Sequence, residues 1–166
     1  MTLDPEQLRH AMRAWTTGVA VVTATHDGKQ YGMTVNSFTS ISLEPPLISV
    51  TLKKLTHTHE LVEACGEFSV TILSSYQKEL SDRFAGKQLE IKDRFAGVPT
   101  ETLSINAPLI KGGMAHFNCR VVNAMAVGEN TLFVAEVVAV SRIGDGEGEG
   151  SPLVYHNRTY WSLAPR

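Results

Sequence analysis

The sequence predicts a mainly β domain with a few short helices, closed as an antiparallel barrel. Three observations lead there. Short apolar or alternating segments recur along the 166 residues, punctuated by turn pairs such as Asp27-Gly28, Pro45-Pro46 and Gly128-Glu129. Only two or three short segments carry helical spacing. The strands do not alternate with long helices, as a parallel sheet of βαβ units requires. No linker-like stretch divides the chain, so residues 1–166 are expected to form one domain.

Taken in order, Asp4-Pro5-Glu6 sets a capping acid before a first-turn proline, and Leu8, Met12 and Trp15 follow at helical spacing. A helix over about 4–16 is predicted, ending near Gly18. "GVAVVTATH" and "QYGMTVNS" form a hairpin about Asp27-Gly28. "PLISVTL" is apolar enough to be a buried strand. "THTHELVEAC" is a short helix stopped by Gly66, "EFSVTIL" a strand, and "YQKELSDRFAG" a helix with Gly86 at its C-terminal end. Residues 87–107 are polar and irregular. They contain a second "DRFAG" (93–97, after 82–86), and two copies 11 residues apart do not make a repeat architecture, so the duplication reads as coincidence. Two long strands, "MAHFNCRVVNAMAV" and "NTLFVAEVVAVSRI", follow. The acidic loop "GDGEGEGS" leads to "PLVYHNRTYWSL", one or two closing strands.

Composition excludes several classes. A formal charge of -2 gives no electrostatic case for nucleic acid or an anionic membrane. No apolar run approaches the roughly 20 residues that span a bilayer, and the N-terminal segment lacks the apolar core of a secretory signal. Cys65 and Cys119 lie far apart in apolar segments, outside any CxxC or Cys/His cluster. They read as buried free thiols in a reducing cytoplasm.

The motif search is largely negative. There is no GxGxxG after a strand and no GxxxxGK[ST], and "GDGEGEG" is too acidic to hold a pyrophosphate. His57 and His59 stand two apart, do not share a helix face, and have no third ligand nearby, so no metal site is expected. A triad of Ser37, His57 or His116, and Asp82 has no G-x-S-x-G elbow to frame it. Thr56 and Thr58 sit where a strand gives way to a helix. Their hydroxyls suit either an N-cap or, with the helix start, a phosphate. "GMTVNSFTSISLEPPLISV" (32–50) loses its alternation at Ser37–Ser40 and carries an unusual load of small hydroxyls. It reads either as an edge strand with a kink or as a wall of donors and acceptors for a polar planar ligand such as a flavin.

In order along the chain, "AMRAWTTGVAVVTA", "GMTVNSFTSISLEPPLISVTL", "THTHELVEACGEFSVTILSSYQKELSDRFAG", "GGMAHFNCRVVNAMAVGENTLFVAEVVAV" and "PLVYHNRTYWSL" resemble the flavin reductase family of short NAD(P)H:flavin oxidoreductases, over about residues 8–163. These are the reductase components of two-component flavin monooxygenases. The resemblance implies an FMN-binding split β-barrel of Greek-key type, usually a homodimer, with FMN or FAD as flavin and NADH or NADPH as co-substrate. It places Thr34, Val35, Asn36, Ser37, Thr39 and Ser40 along the flavin ring and ribityl chain. Lys53, Thr56 and Thr58 fall near ribityl and phosphate, and Arg83 and Phe84 where the family closes over the cofactor. Where the family often has Gly-Asp-His, this chain has Gly128-Glu129-Asn130. Asn130, Tyr155, His156 and Arg158 are the nicotinamide candidates. Hydride would pass from nicotinamide C4 to flavin N5 with no protein acid, base or nucleophile. The reduced flavin would go to a partner oxygenase. The alternatives are a protein that keeps its flavin to pass electrons to ferric iron or another acceptor, or one that binds flavin without turnover.

Overall fold

The structure, a computed structural model, describes residues 3–142 and 150–163. Helix α1 (Pro5–Met12) precedes β1 (Thr17–Gly18), β2 (Ala20–His26), β3 (Lys29–Val35), β4 (Thr39–Leu43) and β5 (Pro46–Lys53). Helix α2 (His57–Cys65) leads to β6 (Glu67–Ile72), then a 3₁₀ turn (Ser75–Gln77) runs into α3 (Lys78–Phe84). The second half holds β7 (Thr100–Glu101), β8 (Leu109–Ile110), the long β9 (Ala115–Val127) and β10 (Asn130–Arg142), β11 (Val154–His156) and β12 (Thr159–Trp161).

Seven strands form one antiparallel sheet in the order β3-β2-β6-β9-β10-β5-β4. Its two edges are consecutive in the chain, with only residues 36–38 between them. Four Cα steps reach at most about 14 Å, whereas the edges of a flat seven-stranded sheet lie about 29 Å apart. The sheet must therefore curl into a barrel whose seam runs between β3 and β5. At that seam the Ser37 hydroxyl donates to Thr51 O (2.9 Å) and accepts from Thr51 N (3.1 Å). One side chain thus supplies both hydrogen bonds that a neighbouring strand would give.

The unbroken apolar run in β2 follows from burial on both faces. Ala20, Val22 and Ala24 point into the barrel with Val50, Leu52, Phe68 and Phe133. Val19 and Val21 face a second core with Leu73, Phe84, Phe95 and Ile110. Both glycine-flanked signals behave as expected: Asp27 and Gly28 have φ of 48° and 73°, and Gly66 ends α2 at φ 68°.

Helix α1 is shorter than its sequence suggests. It ends at Met12, and Arg13 to Trp15 tighten into i→i−3 bonds at 3.1–3.2 Å. The reason is that the helix buries nothing: Leu8, Met12 and Trp15 are all exposed, so no packing sustains a further turn. Residues 87–107 also differ from expectation, because Thr100 and Glu101 pair with Ile110 and Leu109. The acidic loop lies almost wholly outside the described residues.

Buried polar groups fasten the irregular segment to the barrel. Asn118, fully buried, accepts from Ser104 N (2.7 Å) and Ile105 N (3.2 Å) and donates to Ser69 Oγ (2.8 Å). Ser69 Oγ donates to Ala107 O, and Thr71 Oγ1 accepts from Ile110 N. His116, also buried, lies 2.8 Å from Ile110 O. Cys119 is likewise buried, and burial pushes its thiol up to about 12, so it is inert as a thiolate near neutrality.

The C-terminal hairpin is tied down through Asp82. Tyr160 Oη donates to Asp82 Oδ1 (2.8 Å) and meets Ser81 Oγ (2.9 Å). Lys87 Nζ donates to the same carboxylate oxygen at 2.6 Å. Burial alone would raise the Asp82 carboxyl, but the bonds from Lys87 and Tyr160 outweigh it and hold the group below its ordinary value. The bond to Asp82 raises Lys87 correspondingly.

Two predictions follow from these anchors. Asn118→Leu leaves two buried backbone N–H groups without acceptors and should cost about 3 kcal/mol in urea unfolding. Because the Asp82 pKa is lower folded than unfolded, its contribution is complete above the unfolded value, near 3.8, and lost as pH falls through the folded one. The melting-temperature gap between wild type and Asp82→Asn should thus be constant near neutrality and close below pH 3.8. A gap that persists undiminished at pH 2 would contradict this tie.

Candidate functional site

Strand β5 ends at Lys53, and the chain turns through Leu55, whose φ of 62° is unusual for a branched residue, into α2. Thr56 caps the helix: its Oγ1 accepts from His59 N (3.4 Å) and donates to Lys53 O (2.8 Å). The first amides of a helix have no partner within it, so this start offers N–H groups beside the Thr56 and Thr58 hydroxyls. Both threonines line a cavity of about 530 Å³. Its opposite wall is β3, from Gln30 to Thr34, and its far side is Phe84 to Gly86. Residues 88–95 complete it.

Beyond this cavity lie three smaller hollows linked by shared residues. Thr34 lines the large cavity and also a crevice of about 170 Å³ with Val35, Asn36, Lys87, Tyr155 and Tyr160. Asn36 lines that crevice and two more hollows. One, of about 270 Å³, also contains Trp15 and Thr39; the other, about 460 Å³, has Arg9, Arg13, Tyr155 and Arg158. Adjoining hollows therefore follow one another from the start of α2, along β3, to the bend at Asn36.

The sequence-predicted flavin residues sort unevenly over this surface. Thr34, Asn36, Thr39, Thr56, Thr58 and Phe84 border one or more of these hollows. The Thr34 hydroxyl is engaged, donating to Ser81 O at 2.7 Å. Val35 borders the crevice but belongs mainly to the barrel core. Ser37 has both hydroxyl roles occupied at the seam by Thr51. Ser40 pairs with Ile48 on the exposed edge strand. Lys53 lies 3.9 Å from Glu129, outside these hollows. Arg83 turns away from the large cavity, donating to Ala96 O (3.0 Å) and Gln88 Oε1 (3.4 Å).

The nicotinamide candidates fall into two places. Tyr155 and Arg158 share the hollow with Asn36. His156 Nδ1 lies 2.9 Å from Thr16 Oγ1. Asn130 is instead at the turn between β9 and β10, paired with Lys53 and Val127. Asn157 and Arg158 occupy the two-residue hairpin turn with φ of 46° and 63°, which directs the Arg158 side chain beside Arg9 and Arg13.

Sequence reasoning missed part of the cavity wall. Tyr31 and His57 stack at 4.5 Å on its rim. Arg94 and Phe95, from the segment read as irregular, line it directly. The second "DRFAG" was the available signal for that segment.

Among the described residues, the side chains that could form an acid–base or nucleophilic apparatus are not brought together. The conceivable triad is not assembled. Ser37 is bonded to Thr51, and His57 stacks on Tyr31 and faces Glu60 at 3.4 Å. His116 is held at Ile110 O and Ser141, and Asp82 at Lys87 and Tyr160. Among the described residues no three His, Cys, Asp or Glu side chains cluster to hold a metal. What the surface can do is bind elongated, planar, phosphate-bearing molecules against one another.

Known proteins share this sequence and shape. The flavin reductase like domain model matches residues 12–164. The NADH-dependent flavin reductase StyB of Pseudomonas fluorescens is 38% identical over 138 residues, 82% of this chain and 78% of that one. The reductase component of 4-hydroxyphenylacetate 3-monooxygenase of Thermus thermophilus is 31% identical over 158 residues, 95% of this chain and 96% of its own. The NADH:FAD oxidoreductase SgcE6 of Streptomyces globisporus, solved with NAD and FAD fragments, superposes with a TM-score of 0.87 at 31% identity, covering 99% of this chain and 98% of that one. With the family model spanning all but the two ends, this chain belongs to the flavin reductase like domain family.

Proposed function

We propose that this protein is an NAD(P)H-dependent flavin reductase that supplies reduced FMN or FAD to a separate oxygenase. The observation that carries the reading is the series of adjoining hollows from Thr56 and Thr58, past Thr34, to Asn36, where a long ligand in one would meet a second ligand in the next. The donors present fit a flavin. Thr56, Thr58 and the amides at the start of α2 suit its phosphate, and Asn36 at the bend suits the polar edge of its ring. Once bound, flavin and nicotinamide supply the hydride chemistry between them.

The residues of the chain bind and orient. Phe84 and Phe95 give the large cavity an apolar floor. Arg13 and Arg158, beside an Arg9 that is paired with Glu6, leave net positive charge in the hollow beside Asn36, where the phosphates of a pyridine nucleotide would sit. Tyr155, between that hollow and the crevice, is positioned to stack on a ring. An oxygenase as the recipient is supported by the Thermus relative, itself named as one component of a monooxygenase.

A homodimer is supported by apolar surface that one chain leaves uncovered. Trp15, Met12 and Leu8 are exposed beside the Asn36 hollows, as are Val122, Met125 and Val127 on the distal half of β9.

Mixing the protein with FMN or FAD and NADH or NADPH should give flavin-dependent loss of absorbance near 340 nm. No oxidation with any of the four pairings would sink the reductase assignment. Asn36→Leu removes a polar partner and crowds the bend. It should weaken flavin binding about tenfold in a fluorescence titration, the worth of one hydrogen bond to a polar ligand. Unchanged affinity would mean the ring lies elsewhere. Light scattering should give twice the 18.1 kDa chain mass.

A further inference from the structure

The two "DRFAG" copies are joined to each other beside the large cavity. Arg83 of the first donates to Ala96 O of the second at 3.0 Å, and Arg94 of the second donates to Phe84 O of the first at 2.9 Å. The two phenylalanines, Phe84 and Phe95, meet edge to face at 5.0 Å between ring centres, both buried. Gly86 and Gly97, which close the two copies, share the left-handed backbone at φ 76° and 70°. The contacts are reciprocal: each arginine holds a carbonyl of the other copy. The two bonds differ in detail, since Arg83 reaches the alanine carbonyl and Arg94 the phenylalanine carbonyl, but together they fix one copy to the other.

Arg94 does more than its counterpart. The same guanidinium also donates to Gly32 O at 3.1 Å, on β3. Gly86 leaves room for it, since a Cβ there would lie 2.8 Å from Arg94 Nη2. Gly32 in turn has no room for a Cβ, which would stand 2.9 Å from the Phe84 ring. One half-buried cation therefore binds three pieces of the cavity wall: β3, the end of α3 and the segment over the cavity. Residues 87–93 form a strap between the two copies, and Gln88, Leu89, Ile91, Lys92 and Asp93 of it line the cavity. On one side the strap is further held by the Lys87–Asp82 pair.

We infer that Arg94 is a positioning residue that holds the 87–93 strap against the flavin cavity and thereby sets how fast flavin leaves. The inference rests on the flavin reading above. A reductase that hands its product to another protein must release it, and a strap fastened by hydrogen bonds rather than by a deep apolar core can open locally. Arg83 meets the strap only through a long contact to Gln88 Oε1 (3.4 Å) and does not reach β3, so it should matter less.

The experiment compares wild type with Arg94→Ala, Arg94→Lys, Arg83→Ala and Gly86→Ala. It follows FMN and FAD release by stopped-flow fluorescence and strap opening by hydrogen exchange of the ligand-free protein. Arg94→Ala should release flavin about tenfold faster, the scale of losing charge-assisted hydrogen bonds to two carbonyls. Faster exchange should be confined to 87–95 and the KM for NADH should stay within about twofold, since tighter or looser flavin closure is a separate event from nucleotide capture. Lysine, a single point donor, should restore part of the effect. Gly86→Ala displaces the guanidinium without altering it, at the added cost of a left-handed alanine, and should act in the same direction; with Arg94→Lys it keeps the test open if Arg94→Ala fails to fold. Release and exchange at wild-type rates in a folded Arg94→Ala would overturn the inference. So would equal effects in Arg83→Ala. If the wild type binds neither flavin, the flavin reading itself falls; if it binds and only the variants behave as wild type, this inference alone falls.

Discussion

The three-residue link between β3 and β4 is the constraint on which the remaining structure depends. It forces seven strands to curl, and it leaves β5 without a full neighbour where β4 begins at Thr39 opposite Ser49. Backbone groups left bare at such a seam cost free energy. Ser37 meets that cost by presenting a hydroxyl to Thr51 as both donor and acceptor. A larger or apolar residue could not do this. With Ser37 turned inward to the seam, Asn36 is left on the outer side of the bend, exposed, where three hollows meet. The hydroxyl load of this stretch thus has two origins. Part of it repairs the sheet, and part of it faces the concave surface.

The second core makes that surface rigid. Phe84 and Phe95 pack against the outer face of β2 while forming the floor of the large cavity, so the cavity wall is also hydrophobic core. Asn118, Ser69, Thr71 and His116 fasten the 104–110 segment to β6 and β9 by buried hydrogen bonds. Those bonds are worth more inside the protein than at its surface because water cannot replace them. An irregular segment without much secondary structure can then hold a fixed shape.

Much of the fold could be read from residues alone. The Asp27-Gly28 hairpin, the long β9–β10 pair and the Thr56 cap all rest on local chemistry that tertiary contacts did not override. The length of α1 was not legible, because it depends on whether Leu8, Met12 and Trp15 are covered. Periodicity reports an apolar face, not its partner. The segment over the cavity was opaque for a related reason: its order comes from Asn118 and from the paired arginines, contacts distant in sequence. Of the residues that border the hollows, Thr56 and Thr58 were named by their place at a helix start, and Thr34 and Asn36 by the family resemblance. Ser37 was named by the strand break and Arg83 by the resemblance, and the polar groups of both are spent on partners within the chain. Residue type identifies who can bind a ligand, but only packing shows who is still free to do so.

The shifted ionisable groups support the same division of labour. Lys87 and Tyr160 border the crevice beside Thr34 and Asn36, where an acid or base would be expected if the protein took part in proton transfer. Their environment works the other way. Asp82 is held below its ordinary value and Lys87 above it, so both stay ionised across the neutral range. Burial, followed by the Asp82 bond, raises Tyr160, which keeps its proton. A catalytic acid or base needs a pKa moved toward the working pH, and these three are moved away from it. They act as a fixed clamp between α3 and the C-terminal hairpin. A reaction carried by two cofactors needs such a wall to be stiff, correctly shaped and chemically silent.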